Sequence, residues 1–253
     1  MIRSAKLETA GRSADFIEVA HGGDLYRIAL RRVSGARRYT LRVRAATRDV
    51  ALSMPLRGRI EDARKFAEQH AAWIGARFRR LPEPVPFTDG SIIPLRGNDH
   101  VISHRPESRG AVWIETGVTS DTNDMICVAG DTAHVERRVL DFLKRLAKAD
   151  LTEAVNRHSA ALGLKPRRVS LRDTSSRWGS CSASGNLNFS WRLILAPANV
   201  LDYLAAHEVA HLKHLNHSER FWKLTKELCP HTDAAEAWLS AHGMHLHRYG
   251  KSL

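Results

Sequence analysis

The sequence predicts an α+β fold in which a β-rich region over residues 1–130 precedes a helix-rich region over residues 131–253. Three observations favour this organisation. Short runs of alternating apolar and polar side chains, separated by glycine-containing turns, fill most of the first region. A long run with helical periodicity opens the second region, and a strongly apolar helix that carries several histidines follows later in the chain.

The β-rich region is expected to contain strands over residues 15–55 and then one helix over residues 60–81, with its large apolar side chains on one side. The proline-rich stretch 82–86 ends this helix and acts as a stiff linker. A second group of strands is expected over residues 87–128, which makes the region β-rich with a single helix.

The helix-rich region is expected to begin with an amphipathic helix over residues 132–162. A strand over residues 169–172 comes next. A tight turn at residues 184–186 then joins residues 178–181 to a strand over residues 187–195, which together make a hairpin.

After this hairpin, Pro197 suits the first turn of a helix that contains His207, Glu208 and His211. Because positions four apart share one face of a helix, His207 and His211 point two imidazoles toward a single ion, with Glu208 beside them. The preceding residues are strongly apolar, so the helix is expected to be buried, where unpaired imidazoles and a carboxylate would be costly. The pattern predicts a zinc site of the zincin type rather than two solvated histidines on a surface helix.

A catalytic zinc usually has three protein ligands and one open position. The predicted third ligand is His217, six residues after His211, where the chain leaves the helix and bends toward a helix over residues 219–228. His214 is the alternative candidate for the third ligand. It can also be interpreted as a residue that lies behind the ligands or on the surface. Asn216 is expected to orient His217 through a hydrogen bond.

The predicted reaction is metal-assisted hydrolysis, in which Glu208 takes a proton from water and delivers it to the leaving amine. Candidates for stabilising the oxyanion are Arg177, His214 and Tyr203, and the sequence does not rank them. One strand of the hairpin is expected to offer backbone groups to an extended peptide. A structural bulge with a packed indole and a substrate-binding stretch are equally good interpretations of Trp178, Gly179 and Ser180.

The charge of the chain favours polyanionic partners such as nucleic acid, because the net charge is +12 and the pI is about 10.2. Much of the excess lies in a predicted basic hairpin in which no acidic residue balances the arginines. An anion-binding face and an ordinary solvated face are equally good interpretations of Arg31, Arg32, Arg37, Arg38, Arg42 and Arg44.

The compartment predicted from the sequence is the cytoplasm. The N-terminus has no apolar run that could serve as a signal peptide, and no stretch reaches the ~20 apolar residues of a membrane span. Cys127, Cys181 and Cys229 are odd in number and widely spaced, which argues against a disulfide framework.

Several of these motifs together resemble one known family. Beside the histidine motif, the resemblance is carried by Arg177-Trp178-Gly179-Ser180-Cys181, Gly185-Asn186-Leu187-Asn188, Trp191-Arg192-Leu193, Asn216-His217-Ser218 and Phe221-Trp222. In these residues the sequence resembles the YgjP-like metallopeptidases, which are related to the SprT-like and WLM zincins. The match is most specific from about residue 167 to residue 230.

The resemblance implies a zincin-like domain over residues 131–253, zinc held by His207, His211 and His217, and Glu208 as the catalytic acid/base. It leaves the substrate open, since relatives in the SprT and WLM groups act on proteins bound to DNA. Two other functions stay open: hydrolysis of nucleoside triphosphates at a metal site beside arginines, and nucleic-acid binding with a structural zinc. A structural zinc would normally have four protein ligands, which disfavours the second of these.

Overall fold

The computed structural model describes residues 15–44, 47–117, 123–174 and 177–250. Over these residues the chain forms eleven strands and six α-helices, so the predicted α+β class is confirmed. The chain divides into two compact units, Met1–Leu81 and Pro82–Leu253. This division falls at the proline-rich stretch, whereas the boundary predicted from the sequence lies after residue 130.

The first unit is a four-stranded sheet with helices on one face. Its strands are β1 Phe16–His21, β2 Asp24–Val33, β3 Thr40–Arg44 and β4 Asp49–Pro55. They lie in the order β1-β2-β4-β3, and only β2 and β4 run parallel. Two helices follow, α1 Ile60–Gln69 and α2 Ala71–Arg79. Buried apolar side chains of the sheet, such as Ile28 and Leu52, form one core with Ala67 and Ile74 of the helices.

The prediction of a single helix over residues 60–81 is therefore wrong, because the helix is interrupted at His70. The His70 backbone leaves the helical region, with φ −107° and ψ 10°. Its ring Nδ1 lies 2.8 Å from the Phe66 carbonyl oxygen, while its backbone N–H donates to Ala67 instead. The side chain thus occupies the acceptor that a continuous helix would give to the His70 N–H.

The predicted basic hairpin is also corrected, because β4 lies between β2 and β3. Arg44 on β3 makes two hydrogen bonds of 2.6 Å with Asp49 on β4. An acidic residue therefore does balance one of the positive charges in the predicted hairpin. Arg32 donates to the backbone oxygens of Leu56 and Gly58, at 2.9 and 2.8 Å. Among the six arginines, Arg31 and Arg42 remain exposed on the face of this sheet opposite its core.

The second unit begins with another four-stranded sheet, formed by β5 Ile92–Leu95, β6 Asn98–Arg105, β7 Val112–Glu115 and β8 Asp124–Ala129. The order β5-β6-β8-β7, with β6 and β8 parallel, repeats the topology of the first sheet. A 3-10 turn Thr132–His134 leads into the long helix α3 Val135–Ala161, close to the predicted bounds. Ile102 and Ile126 of this sheet share a core with Val139 and Leu143 of α3.

A three-stranded sheet and three helices complete the second unit. The strands are β9 Arg168–Arg172, β10 Gly179–Cys181 and β11 Asn186–Ser190. Their order is β10-β11-β9, so β10 is an edge strand that pairs with β11 alone among the described strands. The helices are α4 Ala198–Ala210, α5 Glu219–Leu228 and α6 Thr232–Leu246. The bounds predicted for α5 are confirmed.

The strand predicted over residues 187–195 is only half correct, because the chain turns into a 3-10 helix at Trp191–Leu195. The Ser190 side chain caps this helix by accepting from the Arg192 N–H at 3.3 Å. All five residues of the helix are buried, so the apolar character of the four that flank or follow Arg192 reflects burial on every side rather than a strand.

The C-terminal end of the unit is tied to this segment by Arg192, whose side chain is buried. Its guanidinium donates to the backbone oxygens of Leu246 and Tyr249, at 3.2 and 2.7 Å. It also forms an ion pair with Asp173, at 3.0 and 3.4 Å. No helix within the described part of the chain is both long and apolar enough to cross a bilayer.

Candidate metal centre

Helix α4 is the buried support of the site, since nine of its residues are buried and most of these are apolar. It is joined to α3 by Asp202, which accepts hydrogen bonds from His158 at 2.8 Å and from Arg157 at 2.5 Å. Burial alone would raise the pKa of Asp202, but the hydrogen bonds and charges of His158 and Arg157 outweigh it and lower that pKa. The ion pair therefore fixes the start of α4 against α3.

Three imidazoles converge at the far end of α4. His207 lies in the last turn of α4, His211 is the first residue after the end of that helix, and His217 comes from the loop before α5. The Nε2 atom of His217 lies 3.1 Å from Nε2 of His207 and 3.2 Å from Nε2 of His211. Within the described residues, these three form the one group of histidine, cysteine and acidic side chains close enough to hold a metal ion.

The other ring nitrogens of the helical histidines are held from behind. His211 Nδ1 lies 2.9 Å from the backbone oxygen of His214, so Nδ1 carries the proton and Nε2 keeps its lone pair. His207 Nδ1 lies 3.4 Å from the hydroxyl of the buried Tyr203, one turn earlier in α4. Such contacts orient an imidazole so that Nε2 faces the metal, as is usual for histidine ligands.

The donor set fits zinc. Nitrogen ligands at about 2.0–2.1 Å in a tetrahedral site lie roughly 3.4 Å apart, close to the separations of the Nε2 atoms. A metal needs neutral imidazoles. Burial and the neighbouring His211 and His217 lower the pKa of His207 to about 4, and burial also lowers the pKa of His211. Both rings are therefore uncharged at neutral pH.

A buried aromatic residue supports all three imidazoles. Phe221, in the first turn of α5, is fully buried, and its ring stacks on His211 with centroids 4.4 Å apart. The rings of His207 and His217 meet the same phenyl ring edge-on, at 4.9 and 4.8 Å. His217 also stacks on Trp222 at 5.8 Å. The supporting role of Phe221 and Trp222 was not predicted from the sequence, although their place four and five residues after His217 could have indicated it.

Glu208 is buried beside the histidines, with an exposed fraction of 4%. Its Oε2 atom is fully buried and has no hydrogen-bond partner among the described residues. Burial raises the pKa of Glu208 to about 8, although the charge of Arg177 acts in the opposite direction. A carboxylate buried in this way is unfavourable unless a partner such as a metal ion stabilises it.

The edge strand β10 forms the wall against this carboxylate. A Cβ atom at Gly179 would lie 2.8 Å from both Cδ and Cγ of Glu208, closer than real Cβ contacts. Only glycine leaves this room. Two residues further along the strand, Cys181 has a thiol whose pKa is raised to about 11 by burial and by the charge of Glu208. Burial thus favours the protonated thiol, and Cys181 is not in the group of side chains close enough to hold a metal ion.

The remaining predicted residues take different places. Tyr203 lies behind His207, on the side away from Nε2, which suits positioning rather than oxyanion stabilisation. His214 contributes its backbone oxygen to His211, and its imidazole is not in the cluster of three. The exposed Asn216 makes no side-chain hydrogen bond within the described residues, so nothing there shows the predicted contact with His217.

Arg177, Trp178 and Ser180 flank Gly179 in the hairpin. Trp178 packs its indole on His247, with centroids 5.0 Å apart, and against Gly243 of α6, as the structural interpretation expected. Arg177 is exposed, and its charge opposes the rise that burial causes in the pKa of Glu208. Ser180 accepts a hydrogen bond from Asn188 at 3.5 Å, on the face of the sheet opposite to Gly179.

With this geometry in hand, comparison with known proteins gives one extended match. A family model described as "YgjP-like, metallopeptidase domain" matches residues 37–242, well over half of the chain. No curated protein matches significantly. A solved structure titled "Crystal structure of the metallopeptidase zymogen of Pyrococcus abyssi abylysin" is 20% identical, with a TM-score of 0.34 over 36% of this chain and 92% of that one. A similarity of that size carries no argument about fold or activity.

Proposed function

The chain belongs to the YgjP-like metallopeptidase family, and on that premise we propose that it is a zinc-dependent peptidase that hydrolyses peptide bonds with Glu208 as the general base. The observation that carries this proposal is the convergence of three imidazole Nε2 atoms beside a buried, unpartnered carboxylate. Membership of a metallopeptidase family supports a metal ion and a peptide or protein substrate, and the donor set favours zinc.

The residues that would hold the zinc are His207, His211 and His217. When bound, zinc supplies a Lewis acid that activates water and polarises a carbonyl group. Three ligands leave a position open for these reactants, as in other catalytic zinc sites. The hydrogen bonds to His211 Nδ1 and His207 Nδ1 hold the rings so that the Nε2 atoms stay directed at one point.

Glu208 would hold the proton between the two halves of the reaction. Its carboxylate takes a proton from the attacking water and later gives it to the leaving amine. Because no described residue donates a hydrogen bond to Oε2, no competing donor has to be displaced. A bound dication would counteract the effect of burial and lower the pKa of Glu208, which keeps the carboxylate ionised at neutral pH.

The edge strand β10 would bind the peptide backbone. Its outer edge pairs with no other described strand, and Gly179 at its start touches Glu208. An extended peptide that adds to this edge would pass directly in front of the carboxylate. The strand thus positions the scissile bond, while the side chains of the substrate alternate between the two faces of the sheet.

Two further features are part of the proposal. The exposed arginines Arg31 and Arg42, with Arg37 and Arg38 in the loop between β2 and β3, would attract a polyanion such as nucleic acid. The three cysteines are free thiols, which fits a reducing compartment, and we retain the cytoplasm as the compartment.

The test compares wild type with Glu208→Gln, each loaded with one equivalent of zinc. The substrates are an unstructured protein and, separately, nucleoside triphosphates. We expect cleavage of the protein by wild type, and no cleavage by a variant that keeps its zinc, because an amide cannot accept the proton. Hydrolysis of the triphosphates alone would refute the peptidase and favour the phosphohydrolase. Full turnover by the zinc-loaded variant would remove Glu208 from the mechanism.

A further inference from the structure

A cavity of about 220 Å³ lies at the edge of the three-stranded sheet. Polar side chains line part of it, and Gly179 and the aromatic residues Trp178 and Phe189 line the rest. The polar residues are Arg172, Thr174, Arg177, Ser180 and Asn188. These residues come from β9, β10, β11 and the loop before β10, so three strands of one rigid sheet define the cavity.

The cavity carries positive charge without a matching carboxylate. Arg172 and Arg177 are exposed, and neither forms an ion pair with an acidic side chain in the described part of the chain. The acidic residue beside Arg172 is Asp173, but its carboxylate binds Arg192 instead. Glu208 feels the charge of Arg177 without a hydrogen bond to it. Both guanidinium groups can therefore accept an external anion.

Neutral groups complete the set of donors. The Arg172 Nε donates to the side-chain oxygen of Asn188 at 3.5 Å, and Asn188 in turn donates to the Ser180 hydroxyl at 3.5 Å. These two hydrogen bonds hold Arg172 over the sheet, and the terminal nitrogens of its guanidinium make no hydrogen bond within the described residues. The Ser180 hydroxyl can donate to the same anion.

The cavity reaches both faces of the edge strand β10, since Gly179 on the face of Glu208 and Ser180 on the other face both border it. The side chains of a peptide added along β10 would also alternate between the two faces of the sheet. If one peptide side chain lies beside Glu208, the following side chain would project over the arginines. The cavity is therefore positioned to bind one substrate side chain near the scissile bond.

We propose that this cavity is a subsite for an acidic side chain, aspartate or glutamate, of a peptide bound along β10, with Arg172 as the specificity-determining residue. The proposal rests on the proposed peptidase function. A carboxylate matches two guanidinium groups in charge and in planar geometry, and the volume admits a side chain of that size. Because both arginines are exposed, salt should weaken the preference.

The experiment starts with a digest of a peptide library by zinc-loaded wild type, in which mass spectrometry identifies the position enriched in acidic residues. A synthetic pair with Glu or Gln at that position then gives kcat/KM. We expect a preference for Glu of about tenfold, the size of a partly screened charge-assisted hydrogen bond. Arg172→Gln should bring the ratio of kcat/KM for the Glu and Gln peptides to about one. Arg172→Glu should favour Lys at that position, a reversal that structural damage would not produce.

The matched control is Arg168→Gln, on the same strand and equally exposed, which removes the same charge and should keep the preference. Equal cleavage of Glu and Gln peptides by wild type, or an unchanged preference in Arg172→Gln, would overturn the proposal. A preference that disappears when the peptide C-terminus is amidated would mean that the cavity takes chain ends instead of side chains.

A binding measurement separates failure of the subsite from failure of the peptidase. The Nε–H signals of Arg172 and Arg177 are followed by NMR during addition of acetyl-glutamate amide or acetyl-glutamine amide, without any turnover. Shifts with the glutamate compound alone support the cavity even if no peptide is cleaved. If neither compound moves these signals, the subsite is refuted whether or not peptides are hydrolysed.

Discussion

The substitution Gly179→Ala tests whether the wall of β10 positions the proposed base. The new Cβ would lie 2.8 Å from Cδ and Cγ of Glu208, whereas ordinary van der Waals contact begins at 3.4 Å. The Oε1 atom of Glu208 would lie closer still, so the carboxyl must retreat by more than about 0.6 Å, since the backbone of β10 is held in register by β11. A displacement near 1 Å in an active site costs roughly 100-fold in rate, so we expect kcat/KM to fall about 10- to 100-fold.

The zinc content of the Gly179→Ala variant should stay at the wild-type level, because the crowded atoms belong to Glu208 and not to the histidines. Overpacking of this size costs about 1–3 kcal/mol in unfolding free energy, which thermal denaturation measures separately. Ser184→Ala, in the turn of the same hairpin, serves as the control and should change neither rate nor zinc. A zinc-replete Gly179→Ala enzyme with wild-type kcat/KM would refute the reasoning.

Three other predictions follow from the site and its surroundings. His217→Ala should weaken zinc binding more than about 100-fold, while His214→Ala should leave it nearly unchanged because its backbone oxygen remains; chelator competition decides this. Asp202→Asn should lose about 1–3 kcal/mol of unfolding free energy at pH 7, by urea denaturation. Since the folded-state pKa of Asp202 is lowered, this contribution is present above the unfolded value near ~3.9 and disappears as the pH falls through the folded value. Replacing Arg31 and Arg42 by Gln should reduce the salt dependence of duplex DNA binding by about 0.9 per lost phosphate contact, and wild type that shows no salt-sensitive binding would exclude the polyanion.

Sequence patterns located the elements that depend on local periodicity. The apolar run before His207 predicted a buried helix, and α4 is buried over most of its length. The turn residues after His211 predicted where α5 begins, because a turn depends on the identity of the few residues that form it. In the same way, the spacing of His217 placed an imidazole in the loop that the structure brings to the other two.

Long-range pairing could not be read in this way. The insertion of β4 between β2 and β3 depends on which strands meet, and alternation within one strand carries no information about its partner. The contact between Gly179 and Glu208 likewise joins residues nearly thirty positions apart. The break at His70 was missed for a different reason, since a side chain that competes for a backbone acceptor leaves the helical periodicity intact.

The burial of Phe221 explains how a loop residue and two helical residues can form one rigid site. His207 and His211 are fixed by α4, but His217 lies in an exposed segment that has no helix of its own to hold it. The Phe221 ring touches all three imidazoles, and Trp222 stacks on His217 from the same helix. Because α5 begins at Glu219, two residues after His217, the position of the His217 ring follows from the packing of α5 on α4. The third histidine is thus placed by its packing against two aromatic side chains of α5.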